Sequence, residues 1–207
     1  MTQQMAATAP TRRLAVPDLI TTGVFTAVYF VLVAVCALFC NIVLTVAGNI
    51  FLPAIVALLA GPVYMLLAAR VRKFGAITVM GAVLGLFLVI SGHFATSLVT
   101  GIVFPLLADL VAKGGAYRGK ASLLAGYVVF SFGCVGPILP MWMMKDAYVA
   151  SLERKGKDSA YIDLVLGHVN GATFGVAMAA LVVCALAGGA FGLRMMTRHF
   201  AKAGVLA

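Results

Sequence analysis

Charge is scarce in this chain: Asp, Glu, Lys and Arg make up 10% of its 207 residues, hydrophobic residues make up 63%, and the mean hydropathy is +1.11. So little polar surface cannot close over a water-soluble core, and the composition points into a membrane. Between Arg13 and Arg70 the only charge is Asp18, and between Lys73 and Lys113 the only one is Asp109. The apolar part has no paired carboxylates, no HExxH, no GxxxxGK[ST] and no Ser and His set on one helix face. No catalytic constellation remains, so no enzyme and no permanently bound cofactor are expected, and any ATP-driven work falls to a partner. Cysteine is sparse too. Cys36, Cys40, Cys134 and Cys184 lie in apolar runs without a CxxC pair and read as buried thiols. Cys36 and Cys40 share a helix face at i, i+4, but two thiols alone make a weak metal site.

What the chain does offer is room for about six helices of roughly 20 residues each. We read an all-α membrane protein with apolar spans at 19–40, 49–69, 74–90, 94–112, 121–144 and 171–193, forming one transmembrane domain over 18–200. A short polar tail is expected over 1–17 and another over 201–207, and a polar segment of 145–170 is the one sizeable connector. The run after Arg13 is too long for the apolar core of a signal peptide. An uncharged connector carrying Asn41, Thr45, Gly48 and Asn49 separates the first two spans, and Ser91-Gly92-His93 breaks the third from the fourth. Gly175, Gly188, Gly189 and Gly192 in the last span would let neighbouring backbones approach closely.

Eleven of the fifteen Lys and Arg fall in the N-terminal tail, at 70–73, at 113–120 and in the C-terminal segment. The other four, Lys145, Arg154, Lys155 and Lys157, are balanced by Asp146, Glu153, Asp158 and Asp163. The positive-inside rule then puts both termini in the cytoplasm and 145–170 outside. The net charge of +9 collects at the inner face, where anionic lipid is its natural partner, and it gives no support to nucleic-acid binding.

The densest signal lies at 133–148. Pro137 and Pro140 each remove a backbone donor inside an apolar run, and lipid cannot satisfy the carbonyls this frees. A protein-lined or watered cavity is expected there. Candidate ligand contacts are Met141, Trp142, Lys145, Asp146 and Tyr148 from this stretch, His93 and His168 from the outer turns, and Asn49 from the first outer connector. Trp and Met at that place also read as an interfacial anchor, and a lone His also reads as a bonded loop residue. Tyr148, Leu152, Tyr161, Leu164, Val165 and His168 suggest amphipathic helical pieces in 145–170, either a lid or a connector lying at the interface. Asp18 reads as a helix N-terminal cap, and Asp109 as an ion-pair partner for Lys113 or a proton relay. Gly23 and Ala27, four apart, make a small-residue face for packing within the chain or against a partner.

Several motifs carry a family resemblance: Gly61-Pro62-Val63-Tyr64-Met65, Val71-Arg72-Lys73-Phe74-Gly75, Leu107-Ala108-Asp109-Leu110, and Gly136-Pro137-Ile138-Leu139-Pro140-Met141-Trp142 followed by Lys145-Asp146-Ala147-Tyr148. The chain resembles the Trep_Strep-type integral membrane family over about residues 17–204. That family is placed among the substrate-binding S components of energy-coupling factor (ECF) importers. The resemblance implies a six-helix S component that captures a small nutrient outside and docks on a transmembrane T component with two ATPase subunits. It also implies that Gly23 and Ala27 match the Ala-xxx-Ala-like docking face, with Gly in place of the first Ala. Such S components bind very different ligands, and the side chains here are compatible with a vitamin, a cofactor precursor or a planar haem-like compound. A structural or regulatory membrane protein acting through its outer loop and a stand-alone secondary transporter are the competing readings. The second would normally show midplane ionisable residues or an inverted repeat.

Overall fold

The computed structural model describes residues 13–197, apart from the side chains of 44–47. The tail expected over 1–17 falls mostly outside the described residues, and that over 201–207 wholly so. Every regular element described is helical: α1 Val16–Phe39, a π-helical turn Cys40–Leu44, α2 Thr45–Leu59, α3 Gly61–Val71, α4 Ala76–Ile90, α5 Thr96–Gly114, α6 Lys120–Ser131 with a 3₁₀ turn Phe132–Val135, α7 Pro140–Met143, α8 Lys145–Arg154, α9 Ser159–Gly167 and α10 Gly171–Met195.

Three helices are long and apolar enough to cross a membrane, Val16–Val43, Thr96–Gly114 and Gly171–Met195, and the bent pair Gly48–Leu59 and Gly61–Val71 makes a fourth if taken as one span. Two apolar stretches expected as spans are shorter helices, Ala76–Ile90 and Lys120–Val135. The 15 residues of α4 rise roughly 22 Å, against a hydrocarbon core of about 30 Å. The connector expected between the first two spans is itself helical, running through the π turn into α2.

The bend of 48° between α2 and α3 follows from the sequence. Pro62 at the start of α3 has no N–H to offer the end of α2, so the helical ladder restarts at Ala60. The Tyr127 hydroxyl donates to the Ala57 carbonyl at 2.6 Å, satisfying an acceptor there that lipid could not. Gly188 and Gly192 of α10 let its backbone lie directly on this bend, since a methyl on Gly188 would run into the Ala57 and Leu58 carbonyls. Gly175 has open space around it and takes no part in such packing. An aromatic knot fills the centre: Tyr64 stacks at a tilt on Tyr127 and Phe130, with centroids 5.1 and 5.2 Å apart, and Tyr29 meets Phe130 edge-on at 5.6 Å.

One end of the bundle is closed by carboxylates. Asp18, three residues into α1, accepts from the Ala15 N–H at 2.7 Å and pairs with Lys73 at 2.6 Å. Its N-terminal capping role holds, with a cation from the α3–α4 turn added. Asp109 differs from expectation. It is fully buried and accepts from the Gly75 N–H, the Thr78 N–H and the Thr78 hydroxyl at 2.8, 3.1 and 2.9 Å, and from the Tyr117 hydroxyl at 2.6 Å. It thus caps the N-terminus of α4, where unpaired N–H groups attract an anion. Lys113 is not its partner, and lies instead over the Phe74 ring, 5.2 Å from the centroid.

Candidate functional site

The opposite end of the bundle holds the proline-broken stretch. The carbonyls that Pro137 and Pro140 deprive of a helical donor are those four residues earlier, Gly133 and Gly136. Both are served from α5: Thr96 donates its hydroxyl to Gly136 at 2.8 Å, and Thr100 donates to Gly133 at 3.0 Å. Gly136 permits the approach, because a side chain there would collide with Thr100 and the backbone at Ser97. The span expected over 121–144 is therefore not one helix but α6, a 3₁₀ turn and the single turn α7, tied to α5 by two threonines.

The break opens two adjoining chambers. The inner one, about 230 Å³, is apolar, with Tyr29, Phe30 and Val33 of α1, Leu52 and Val56 of α2, and Leu84 and Phe87 of α4 in its wall. At its edge the Tyr29 hydroxyl and the Cys134 thiol stand 3.5 Å apart. The outer one, about 240 Å³, has a polar wall that includes Asn41, Asn49, Tyr148, Ser151, Lys155 and Tyr161. Leu52, His93 and Pro137 line both, so the polar chamber adjoins the apolar one. Together they reach the roughly 300–1,000 Å³ range of small-molecule sites.

The segment 145–170 covers this mouth. The α8 face bearing Tyr148, Ser151 and Leu152 forms one side, the turn with Lys155 and Lys157 another, and Tyr161 of α9 a third. Lys157 lies 4.7 Å from the centre of the Tyr161 ring, and Phe94 meets Tyr148 at 6.4 Å. Burial, then the neighbouring Tyr161, pushes the Tyr148 hydroxyl up to about 12, so it stays a neutral donor at physiological pH.

His93 stands at the lip shared by both chambers. Partial desolvation lowers its pKa and the Lys155 ammonium adds to the effect, while the Leu88 carbonyl opposes it. That carbonyl lies 3.1 Å from Nδ1 and can only accept, so Nδ1 carries a proton and the neutral ring leaves Nε2 free as an acceptor.

Of the eight ligand candidates from the sequence, Asn49, His93, Met141 and Tyr148 line the outer chamber. The other four line neither chamber. Trp142 donates its indole N–H to the Asn170 carbonyl at 3.0 Å and meets Phe174 edge-on at 5.2 Å, which fastens α7 to the start of α10. Lys145 and Asp146 are exposed at the head of α8, and His168 is an exposed cap of α9 whose Nδ1 donates to Leu164 at 2.8 Å. The two histidines are thus not brought to one site. Asn41, Ser151, Lys155, Lys157 and Tyr161 also line this chamber without being among the eight candidates, although the uncharged connector marks Asn41 and the amphipathic pattern of 145–170 marks Tyr161.

Gly23 and Ala27 are exposed rather than packed within the chain. They line an open groove between α1 and α4 that also includes Leu19, Val79 and Val83. The groove shares Phe30, Leu84 and Phe87 with the inner chamber, and Phe30 meets Phe87 at 4.3 Å between them.

A helical bundle with several membrane-length apolar helices defines a multi-pass membrane protein. Residues 16–202 match the family Trep_Strep, described as a hypothetical bacterial integral membrane protein, and the chain belongs to that family. No curated protein matches the chain, and no solved structure does.

Proposed function

We propose that this protein is the substrate-capture S component of an ATP-driven, ECF-type nutrient importer in the bacterial plasma membrane. In this reading the chain passes the membrane six times, both termini lie in the cytoplasm, and the cavity opens outward. The cavity carries the proposal: a polar mouth over an apolar chamber, covered by 145–170, suits capture of a small nutrient such as a vitamin, a cofactor precursor or a haem-like compound. The uncovered Gly23 and Ala27 groove gives a helix of the T component a place to approach closely. The chain itself is no enzyme, and ATP is used by two partner ATPase subunits.

The test is co-expression of the tagged chain with a T component and two ATPase subunits from the same bacterium, followed by gentle purification. The four polypeptides are expected to co-purify, and Gly23→Leu with Ala27→Leu is expected to release the chain from the rest while leaving it folded. Recovery of the wild-type chain alone, from membranes in which the other subunits assemble, would remove the proposal.

A further inference from the structure

Counted by segment, 145–170 is electrically neutral, but its charges are not evenly placed. Lys155 and Lys157 line the outer chamber, whereas none of Asp146, Glu153, Asp158 and Asp163 does so, and neither chamber has any carboxylate in its wall. Asp158 is engaged elsewhere, accepting from the Tyr161 N–H at the start of α9. The remaining polar groups of the mouth, such as Asn41, Asn49 and Tyr148, are hydrogen-bonding neutrals. A cationic ligand would meet two ammonium groups and no counter-charge. A wholly polar one would leave the apolar chamber and its aromatic rings unused, at the cost of desolvation.

We propose that the ligand is an amphipathic organic anion, its acidic head held at the mouth by Lys155 and Lys157 and its apolar body seated among Phe30, Leu84 and Phe87. This rests on the capture reading above and assigns the class of molecule captured. Carboxylate and phosphate heads share the recognising chemistry, and so does the headgroup of an anionic membrane lipid.

The experiment uses the full chain in nanodiscs of zwitterionic lipid with a matched probe set: 4-phenylbutyrate, 4-phenylbutyl phosphate, 4-phenylbutanol and 4-phenylbutylamine. Saturation-transfer NMR supplies the dissociation constants. Both anions are expected to bind about tenfold more tightly than the amine at low salt, the alcohol falling between, and the margin should narrow as added salt screens the two exposed ammonium groups. Lys155→Gln with Lys157→Gln, both on the exposed turn, should remove this preference while retaining weak binding of all four probes. Leu84→Trp, which fills the chamber, should weaken all four alike. Adding phosphatidylglycerol to the discs separates the sources: competition with the anionic probes assigns the head to a lipid, and its absence assigns it to a soluble acid. Equal or tighter binding of the amine, or no binding of any probe at millimolar concentration, overturns the inference. Co-purification with the T and ATPase subunits is scored on the wild-type chain and the lysine double variant, so a wild-type chain that assembles the complex but shows no preference for the anions sinks this inference alone.

Discussion

Thr96→Val tests whether the broken helix is held as described. Valine keeps the shape of threonine, so the change removes a hydroxyl without opening a cavity. Thr96 donates to the Gly136 carbonyl at 2.8 Å, and an unsatisfied carbonyl in that place costs about 1–3 kcal/mol. Thr100 is the internal comparison. Its one proton is contested by the carbonyls of Gly133 at 3.0 Å, Thr96 at 3.0 Å and Ser97 at 3.4 Å, so Thr100→Val should cost about half as much. Thr26 is the control, because its hydroxyl returns to the Thr22 carbonyl of its own helix at 2.7 Å and its loss should cost less than about 0.5 kcal/mol. At about 2–4 °C per kcal/mol for a chain of this length, the expected falls in Tm are about 2–12 °C for Thr96→Val, about half that for Thr100→Val and at most about 2 °C for Thr26→Val. Cys36 and Cys40 are buried, whereas Cys134 and Cys184, read from the sequence as buried too, are partly accessible, so with the latter two changed to alanine a thiol-reactive fluorophore reports unfolding of the detergent-purified protein. Pro140→Ala restores an N–H near the Gly136 carbonyl and should recover part of the Thr96→Val loss in a double-mutant cycle. If Thr96→Val melts with Thr26→Val, or Pro140→Ala adds to the damage instead of relieving it, the assignment of that carbonyl is wrong.

Three other outcomes are expected. Asp109→Asn replaces one acceptor oxygen by a donor in a pocket where every neighbour donates, which should cost about 2–3 kcal/mol in the same thiol assay and more than Tyr117→Phe, which removes a single hydrogen bond. Gly188→Ala drives a methyl into the carbonyls at the α2–α3 bend and should destabilise by about 2–3 kcal/mol, whereas Gly175→Ala should stay within about 0.5 kcal/mol of wild type. The folded-state pKa of His93 lies below its ordinary 6.5, so its contribution to stability is present above that value and is lost as pH falls through 6.5 towards the folded-state pKa. Tm measured from pH 8 to pH 5 should therefore fall less in His93→Gln than in wild type, and parallel curves would show that the ring is not desolvated.

The fold was legible where one residue acts on its own neighbours. Apolar runs gave the helices, and the glycines of α10 announced a close approach that Gly188 and Gly192 make, whereas the span read over 49–69 ran straight through Pro62, where the α2–α3 bend falls. Length was harder to read. A 17-residue apolar window at 74–90 looks like a span, yet α4 starts only at Ala76, because Arg72 and Gly75 adopt left-handed backbone conformations in the turn before it. The destination of Asp109 was hidden for a related reason. Helical spacing put Lys113 within reach, but the N-terminus of α4 supplies two backbone donors and a hydroxyl inside the bundle, and no local spacing encodes that encounter. Likewise Pro137 and Pro140 predicted two stranded carbonyls, while the threonines that answer them lie on a different helix, four residues apart and facing one way.

The site shows why counting charge by segment differs from counting it by face. Lys155 ends α8, Gly156 follows at φ 73, and the N–H groups of Gly156 and Lys157 return to the carbonyls of Glu153 and Leu152 at 2.9 and 3.1 Å. This is the glycine-terminated helix end that the Lys-Gly-Lys spacing favours, since only glycine enters the left-handed region without steric cost. The reversal puts the two lysines that flank Gly156 on the wall of one chamber and starts α9 with Asp158 turned to cap its own helix. A segment that sums to zero thereby presents positive charge to the cavity. Trp142 and His168 illustrate the converse: a conspicuous residue beside the proline break, and another at the end of the loop, bond to nearby carbonyls and leave the chamber to Asn41, Asn49, His93 and Tyr148.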